Sequence, residues 1–412
     1  MLSVVKNTLP KIVEAGSFGT GCHFESFNTD NQKIEEDQFA STVIFGEILM
    51  SGGQKQKVVI KVKHQSPILR HIFRNDNQFH NEIAMYEQTL PFFISFYPVS
   101  STKEGSLFAH YFYGRNACGE QYEQSMIIIQ NVAPLGYRMS KQRVILDYDH
   151  VEIALKALAK FHGMSFTAKQ NNNKRFMELM DDIKETQWED GTDQWIVRLN
   201  GMKKFGPRDI NRLIKRNPEK YHNNVHVKKL LEFFSDADNN LRRTMNTRSP
   251  LSVLCHGDFC RNNILFKYND DNRPIATILL DHTNIRYGSL ALDLSFFLFL
   301  NTDRQLRLNR WDQLLDVYCE SLAASVPSGI NVPDRKSVEA EMSKHAVYGL
   351  SYISFFLRTM MRDENELDMN TFNQNNMEEW FEGLMSLGGE KANELVVDVY
   401  EHIVEKGYSG TP

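Results

Sequence analysis

Two carboxylates and one amide are brought close by a short stretch of this chain, His256-Gly257-Asp258-Phe259-Cys260-Arg261-Asn262-Asn263, and by Asp281 further on. Mg²⁺ is a hard cation that prefers oxygen ligands, usually one or two carboxylates plus substrate phosphates. Asn263 and Asp281 suit that role. Asp258 then remains to accept a proton from an attacking hydroxyl. One Asp as base, with an Asn and a second Asp on the metal, is the division of labour in kinase-type phosphoryl transfer. A single Asp is more often a turn or cap residue. Three such residues in this order around a hairpin point instead to a site.

A hairpin must position them. Ile264 to Tyr268 reads as a strand, Asn269-Asp270-Asp271-Asn272-Arg273-Pro274 as a turn, and Ile275 to Leu280 as the returning strand. In an antiparallel pair the start of one strand lies beside the end of the other. Asp258, Asn263 and Asp281 should therefore converge at one end of the hairpin.

Phosphoryl transfer also needs a cation on the nucleotide phosphates. Lys61 lies on an apolar strand, between Ile60 and Val62. A lysine there either leaves by its long stem or meets an anion. Glu82, on a helix read over Phe79 to Gln88, is the natural partner. Lys63 shares the face of Lys61 and is the competing choice. A solvated lysine on an edge strand is the plain alternative.

The remaining elements follow from period and punctuation. Thr42 to Met50 and Val58 to Val62 read as a hairpin about Ser51-Gly52-Gly53, and Met126 to Ile129 as a further strand. Residues 1–35 read as an irregular extension, whose Gly16, Gly19 and Gly21 match no phosphate loop. A helix begins at Asp149, with Glu152 as a capping-box partner and an apolar stripe through Val151, Leu155 and Leu158. Asn171-Asn172-Asn173 breaks the helical region after it. Trp311 to Ala324, Ser343 to Arg358 and Met377 to Glu405 read as further helices. The sum is an α+β chain with a small sheet-rich lobe over residues 1–133 and a larger, mainly helical lobe over 134–412.

The 412 residues suit two packed lobes. A formal charge of −5 gives no reason to expect a nucleic-acid partner. The five cysteines are odd in number and show no CxxC spacing, which points to free thiols in a reducing, cytoplasmic setting. Lys6, Lys11 and Glu14 interrupt the N-terminus, which does not read as a signal peptide. Leu290 to Leu300 is apolar but short and holds Asp293, so it reads as a buried helix rather than a membrane span. Nothing in the sequence fixes an oligomeric state.

On these residues the chain resembles the insect ecdysteroid kinase-like family, itself similar to choline kinases and aminoglycoside phosphotransferases. Leu254-Cys255-His256-Gly257-Asp258 with Asn262-Asn263-Ile264-Leu265-Phe266 is similar to its catalytic loop. Leu279-Leu280-Asp281, Ile285-Arg286-Tyr287 and Leu292-Asp293-Leu294 resemble its metal-aspartate segment. Phe79-His80-Asn81-Glu82-Ile83-Ala84-Met85-Tyr86 and Leu158-Ala159-Lys160-Phe161-His162-Gly163-Met164-Ser165 resemble two of its helices. The likeness spans residues 37 to 390.

The resemblance implies a two-lobed, protein-kinase-like fold with ATP between the lobes and Ile129 to Val132 as hinge. It implies contacts to adenine from the backbone of Gln130 and Val132, Asp258 as catalytic base, and Asn263 and Asp281 on Mg²⁺. Lys61 and Glu82 would orient the phosphates, and Asp293 would brace the catalytic loop. Three departures stand out. Gln130-Asn131 replaces the usual Glu-Asp at the hinge. His282 occupies a place where Phe or Trp is common, which suggests pH-dependent binding of metal or ATP. Asp37-Gln38-Phe39-Ala40-Ser41 stands for the phosphate-covering loop without its glycine, leaving Ser41 as a contributor of a hydroxyl or amide.

The leading expectation is a small-molecule kinase acting on an alcohol, with an ecdysteroid hydroxyl implied by the resemblance. The alternatives are a choline- or ethanolamine-type kinase, or a kinase fold kept as a non-catalytic binding module for a hormone or xenobiotic. A metal hydrolase using His256, Asp258 and Asp281 is a further one. Tyr352, Phe355 and Phe356 could line an acceptor pocket, although helix core is the simpler reading.

Overall fold

The computed structural model describes residues 2–30, 41–98, 106–188, 196–363 and 377–410. A five-stranded antiparallel sheet comes first, in the order β1-β2-β3-β5-β4. Its strands are β1 (Phe24–Thr29), β2 (Ser41–Met50), β3 (Gln54–Lys63), β4 (Tyr111–Arg115) and β5 (Met126–Gln130). Alternation along β3 decides what each face does. Val58, Ile60 and Val62 are buried on one side, while Lys61 and Lys63 project from the other.

The apolar side of that sheet is covered by a helix, Leu2–Glu14. Val5, Leu9, Ile12 and Val13 recur at helical spacing and pack with Val58, Ile60, Val62 and Ile128. The irregular N-terminal extension expected from the sequence is thus helix followed by strand β1. Lys6 and Lys11 fall on the exposed face, and Pro10 hides a stripe that is otherwise regular.

The lysine side of the sheet faces the helix Asn75–Ala84. It runs on through a π-helical turn at Met85–Thr89 into Leu90–Ile94. After β5, a short turn and strand β6 (Tyr137–Arg138) lead to the long helix Tyr148–Asn171. Its cap is Asp147, which accepts the His150 N–H at 3.0 Å. Asp149, the start expected from the sequence, lies inside the first turn.

Beyond it the chain is largely helical. Strands β7 (Ser252–Cys255), β8 (Ile264–Tyr268), β9 (Pro274–Leu279) and β10 (Arg286–Ser289) interrupt it. β8 and β9 form the expected hairpin, with β6 on the outer side of β8, and β10 pairs antiparallel with β7. The helix Ala291–Asn301 is buried at every position. The helix expected over 343–358 is two, Arg335–His345 and Val347–Met361. The one expected over 377–405 breaks at Gly388, which has φ +64°, into Met377–Ser386 and Gly389–Lys406. The chain is α+β and two-lobed as expected, a sheet lobe against a helical lobe with one large core. Among the described residues no helix is long and apolar enough to cross a membrane.

Candidate active site

The hairpin brings its polar residues to one end. Ile264 pairs with Leu279, and the Leu280 N–H donates to the Asn263 carbonyl at 2.9 Å. Asn263 and Asp281 therefore flank the same end of the ladder. The Asn263 Nδ2 donates to the Asp258 carbonyl at 2.9 Å and to its Oδ2 at 3.1 Å. Asp258, Asn263 and Asp281 converge as the antiparallel geometry predicts.

Lys61 joins them to the other lobe. Its Nζ donates to Glu82 Oε2 at 2.7 Å and to Asp281 Oδ1 at 2.5 Å. Burial alone would lower the lysine's pKa, yet the charges of Asp281 and Glu82 outweigh it and raise it above the ordinary value. Burial would likewise favour a neutral Asp281. The charge and hydrogen bond of Lys61 prevail and hold that carboxyl below the usual range. Glu82 goes the other way, raised by burial against the pull of Lys61. Lys63 is engaged elsewhere. It donates to the Ala117 carbonyl at 2.8 Å, pairs with Asp76 and lies over the Phe79 ring.

Two backbone features fix the loops. Asp281 adopts the left-handed conformation, φ 62° and ψ 63°, which is uncommon away from glycine and clusters at functional sites. Gly257 has φ +78°, and a Cβ there would stand 1.8 Å from the Asn284 carbonyl. Only glycine fits between the two loops.

The backbone of the loop from His256 to Asn263 hangs on Asp293. Its Oδ2 accepts the His256 N–H at 2.6 Å and its Oδ1 accepts the Gly257 N–H at 2.9 Å. His162 Nε2 lies 3.1 Å from Oδ2, and Nδ1 of the same ring lies 2.7 Å from the Tyr318 hydroxyl. Burial raises the Asp293 pKa, but the His162 bond and charge and the loop amides outweigh it and keep the carboxyl low. This brace matches the role the resemblance implied for Asp293. His162 and Tyr318 were not foreseen; their partner lies on a distant helix.

His256 does not join Asp258 and Asp281 as a metal set. Its ring is buried, and Nε2 lies 2.9 Å from the Leu280 carbonyl. Among the described residues, the one close group of three ligand-type side chains is His162, Cys255 and Asp293, two of which form the brace. His282 is also buried, ringed by Tyr86, Phe108, Phe161 and His256. Burial drives its pKa well below the ordinary histidine value. The ring stays neutral and takes the aromatic place usual there, which removes the basis for the pH dependence expected of it.

At the hinge, Gln130 donates its N–H to the His110 carbonyl at 2.7 Å, and the Val132 carbonyl accepts the Leu135 N–H at 3.0 Å. Val132 belongs to an apolar cluster with Ala109 and Ile278, against which Leu265 and Leu280 pack. Leu265 lies on β8 and Leu280 just past the end of β9, beside Asn263 and Asp281. Ser41 opens β2 opposite Lys63 and is not among the bonded groups of the Lys61 cluster. Residues 37–40, expected over the phosphates, lie outside the described residues. Tyr352, Phe355 and Phe356 behave as helix core: Tyr352 is buried and bonds Gln187, Phe356 packs on Phe296, and Phe355 packs with Phe205 and Leu384.

The oxygen set suits Mg²⁺. Asp281 holds Lys61 and Thr283 with Oδ1, and its side chain is 33% exposed, so Oδ2 can face a ligand. Asn263 turns its amide nitrogen to Asp258, so its oxygen end is the one that could meet a cation.

A search of curated proteins finds no match. Two solved structures are similar. One is a macrolide 2'-phosphotransferase type I, at 11% identity and TM-score 0.35 over 87% of this chain and 93% of that one. The other is the macrolide 2'-phosphotransferase MphH from Brachybacterium faecium, at 12% identity and TM-score 0.38 over 92% and 98%. At those scores the likeness carries no argument. The sequence does match the ecdysteroid kinase-like family over residues 35–328, more than half of its length. The chain belongs to the ecdysteroid kinase-like family and is, with it, a phosphotransferase acting on a hydroxyl.

Proposed function

We propose that this protein is an ATP- and Mg²⁺-dependent kinase that phosphorylates an alcohol of a small molecule, with an ecdysteroid hydroxyl as the acceptor class. The observation that carries the reading is the Lys61 ammonium held between Glu82 and Asp281, at the hairpin end that also holds Asp258 and Asn263. Lys61, kept in place by Glu82, orients the nucleotide phosphates. Asp258, with its carboxylate steadied by the Asn263 amide, accepts the proton of the acceptor hydroxyl. Mg²⁺ on Asn263 and Asp281 would offset the charge on the phosphates.

The adenine is assigned to the apolar cluster of Val132, Leu265 and Leu280, with the Gln130 carbonyl and the Val132 N–H as its polar contacts. Ser41 is kept as a contributor at the phosphate end, from the first residue of β2. The lobes divide after residue 133. The five cysteines stand as separate thiols, which suits a reducing, cytoplasmic setting.

The test is ATP consumption by the purified protein against ecdysteroids, choline, ethanolamine and plant-derived alcohols, with Asp258→Ala as control. Consumption that depends on an ecdysteroid and on Asp258 supports the reading. Choline- or ethanolamine-dependent consumption would move the acceptor class, and consumption unaffected by Asp258→Ala would remove the base.

A further inference from the structure

The helix that carries Glu82 is held from outside by a segment with no part in the chemistry above. Residues Asp182 to Trp188 run antiparallel along it, bonded at every turn. His80 Nε2 lies 3.0 Å from the Asp182 carbonyl and 3.1 Å from its Oδ2. Asn81 Nδ2 donates to the Lys184 carbonyl at 2.9 Å, and the Lys184 N–H donates to Asn81 Oδ1 at 2.8 Å. One turn earlier, Asn77 Nδ2 donates to the Glu185 carbonyl at 2.7 Å. Arg74, at the start of the helix, donates to the Trp188 carbonyl. Positions 74, 77 and 81 share one helix face.

The same segment reaches the metal-aspartate loop. Asn81 Nδ2 also donates to the Thr283 carbonyl at 3.1 Å, and Thr186 Oγ1 donates to Asn284 Oδ1 at 2.9 Å. Asn81 is 0% exposed, and both ends of its amide are engaged. It therefore links three pieces: the helix bearing Glu82, the loop after Asp281, and the segment from the helical lobe. In protein kinases the Lys–Glu ion pair must be in place for catalysis, and movement of its helix is a point of control. Here the helix is tied at both faces.

We propose that Asp182–Trp188 is a strap that fixes the Lys61–Glu82 pair in its engaged position, with Asn81 as the positioning residue. The pair is then built in rather than switched. The inference rests on the phosphate-orienting reading of Lys61 and Glu82.

The test is calorimetric titration of the full chain with MgATP and, separately, with adenosine. Lys61→Met sets the scale of a full loss of phosphate contact. The strap predicts that Asn81→Ala weakens MgATP binding about five- to tenfold and leaves adenosine within about twofold. A merely structural role lowers thermal stability without separating the two ligands. Should Asn81→Ala fail to fold, Asn77→Ala, which removes one half-buried bond, decides: a smaller but still MgATP-selective loss supports the strap. Wild-type affinity for MgATP in the folded variant, or equal loss on both ligands, overturns it. A wild type that binds MgATP no better than adenosine would overturn the phosphate reading itself, and the strap with it.

Discussion

Asp281 and Asp293 flank the same strand, β10, and are both ionised, yet they are built for opposite tasks. Around Asp281 the side chain is one-third exposed, the backbone is left-handed, and one oxygen is held by Lys61 from the other lobe. Around Asp293 exposure falls to 2%, and both oxygens are taken up by His256, Gly257 and His162. The first carboxylate is left with an oxygen for a ligand. The second is satisfied by its own chain. Residue type does not distinguish them; the geometry around the second oxygen does.

That contrast can be broken in order of expected effect. Asp258→Ala should lower turnover on an accepted alcohol by about 10²- to 10⁴-fold, with MgATP affinity nearly kept, as read by steady-state ATP consumption beside calorimetry. Near-normal turnover would mean the loop braced by Asp293 carries no base. Asp293→Ala strips a buried carboxylate from two loop amides and from His162. Chemical denaturation should record a loss of about 3–5 kcal/mol, and a variant of unchanged stability would show the brace to be incidental.

Asp281→Asn tests the other side. Asparagine tolerates the left-handed backbone, so the fold should hold. The Mg²⁺-dependent part of ATP affinity should fall about 10- to 100-fold, or about 1.4–2.7 kcal/mol. Loss of stability in place of loss of metal coupling would make Asp281 a second brace. The smallest effect belongs to His282→Phe. The His282 ring is buried in an aromatic cage and its polar contact is to the Leu279 backbone, so an apolar ring of similar shape should change stability by only about 1 kcal/mol. MgATP binding should follow the same pH profile in the variant and the wild type between about pH 6 and 8. A profile altered by the substitution would return to His282 the titrating role that its burial denies.

Local pattern made the hairpin end and its Lys61 cluster legible. The hairpin could be read because its turn is dense in Asn, Asp and Pro, and antiparallel pairing then placed Asn263 beside Asp281. Lys61 could be read because a lysine in an apolar strand needs an anion. Its choice over Lys63 could not, since both share a face and only the helix beneath assigns Glu82 to one and Asp76 to the other. The strap was out of reach for the same reason: Asn81 and Lys184 are ordinary polar residues until the fold brings them together across the sequence. Asp147 was not told from Asp149 because two aspartates two positions apart offer the same cap chemistry. His282 was misjudged because composition shows a titratable ring and not the aromatic cage around it.

The most direct measurement of the central claim is thermal unfolding of the wild type with ATP, with and without Mg²⁺, beside Asp281→Asn. MgATP at millimolar concentration should raise the midpoint of the wild type, ATP alone should raise it less, and Asp281→Asn should remove the difference. A wild type whose midpoint is unmoved by MgATP would contradict that claim.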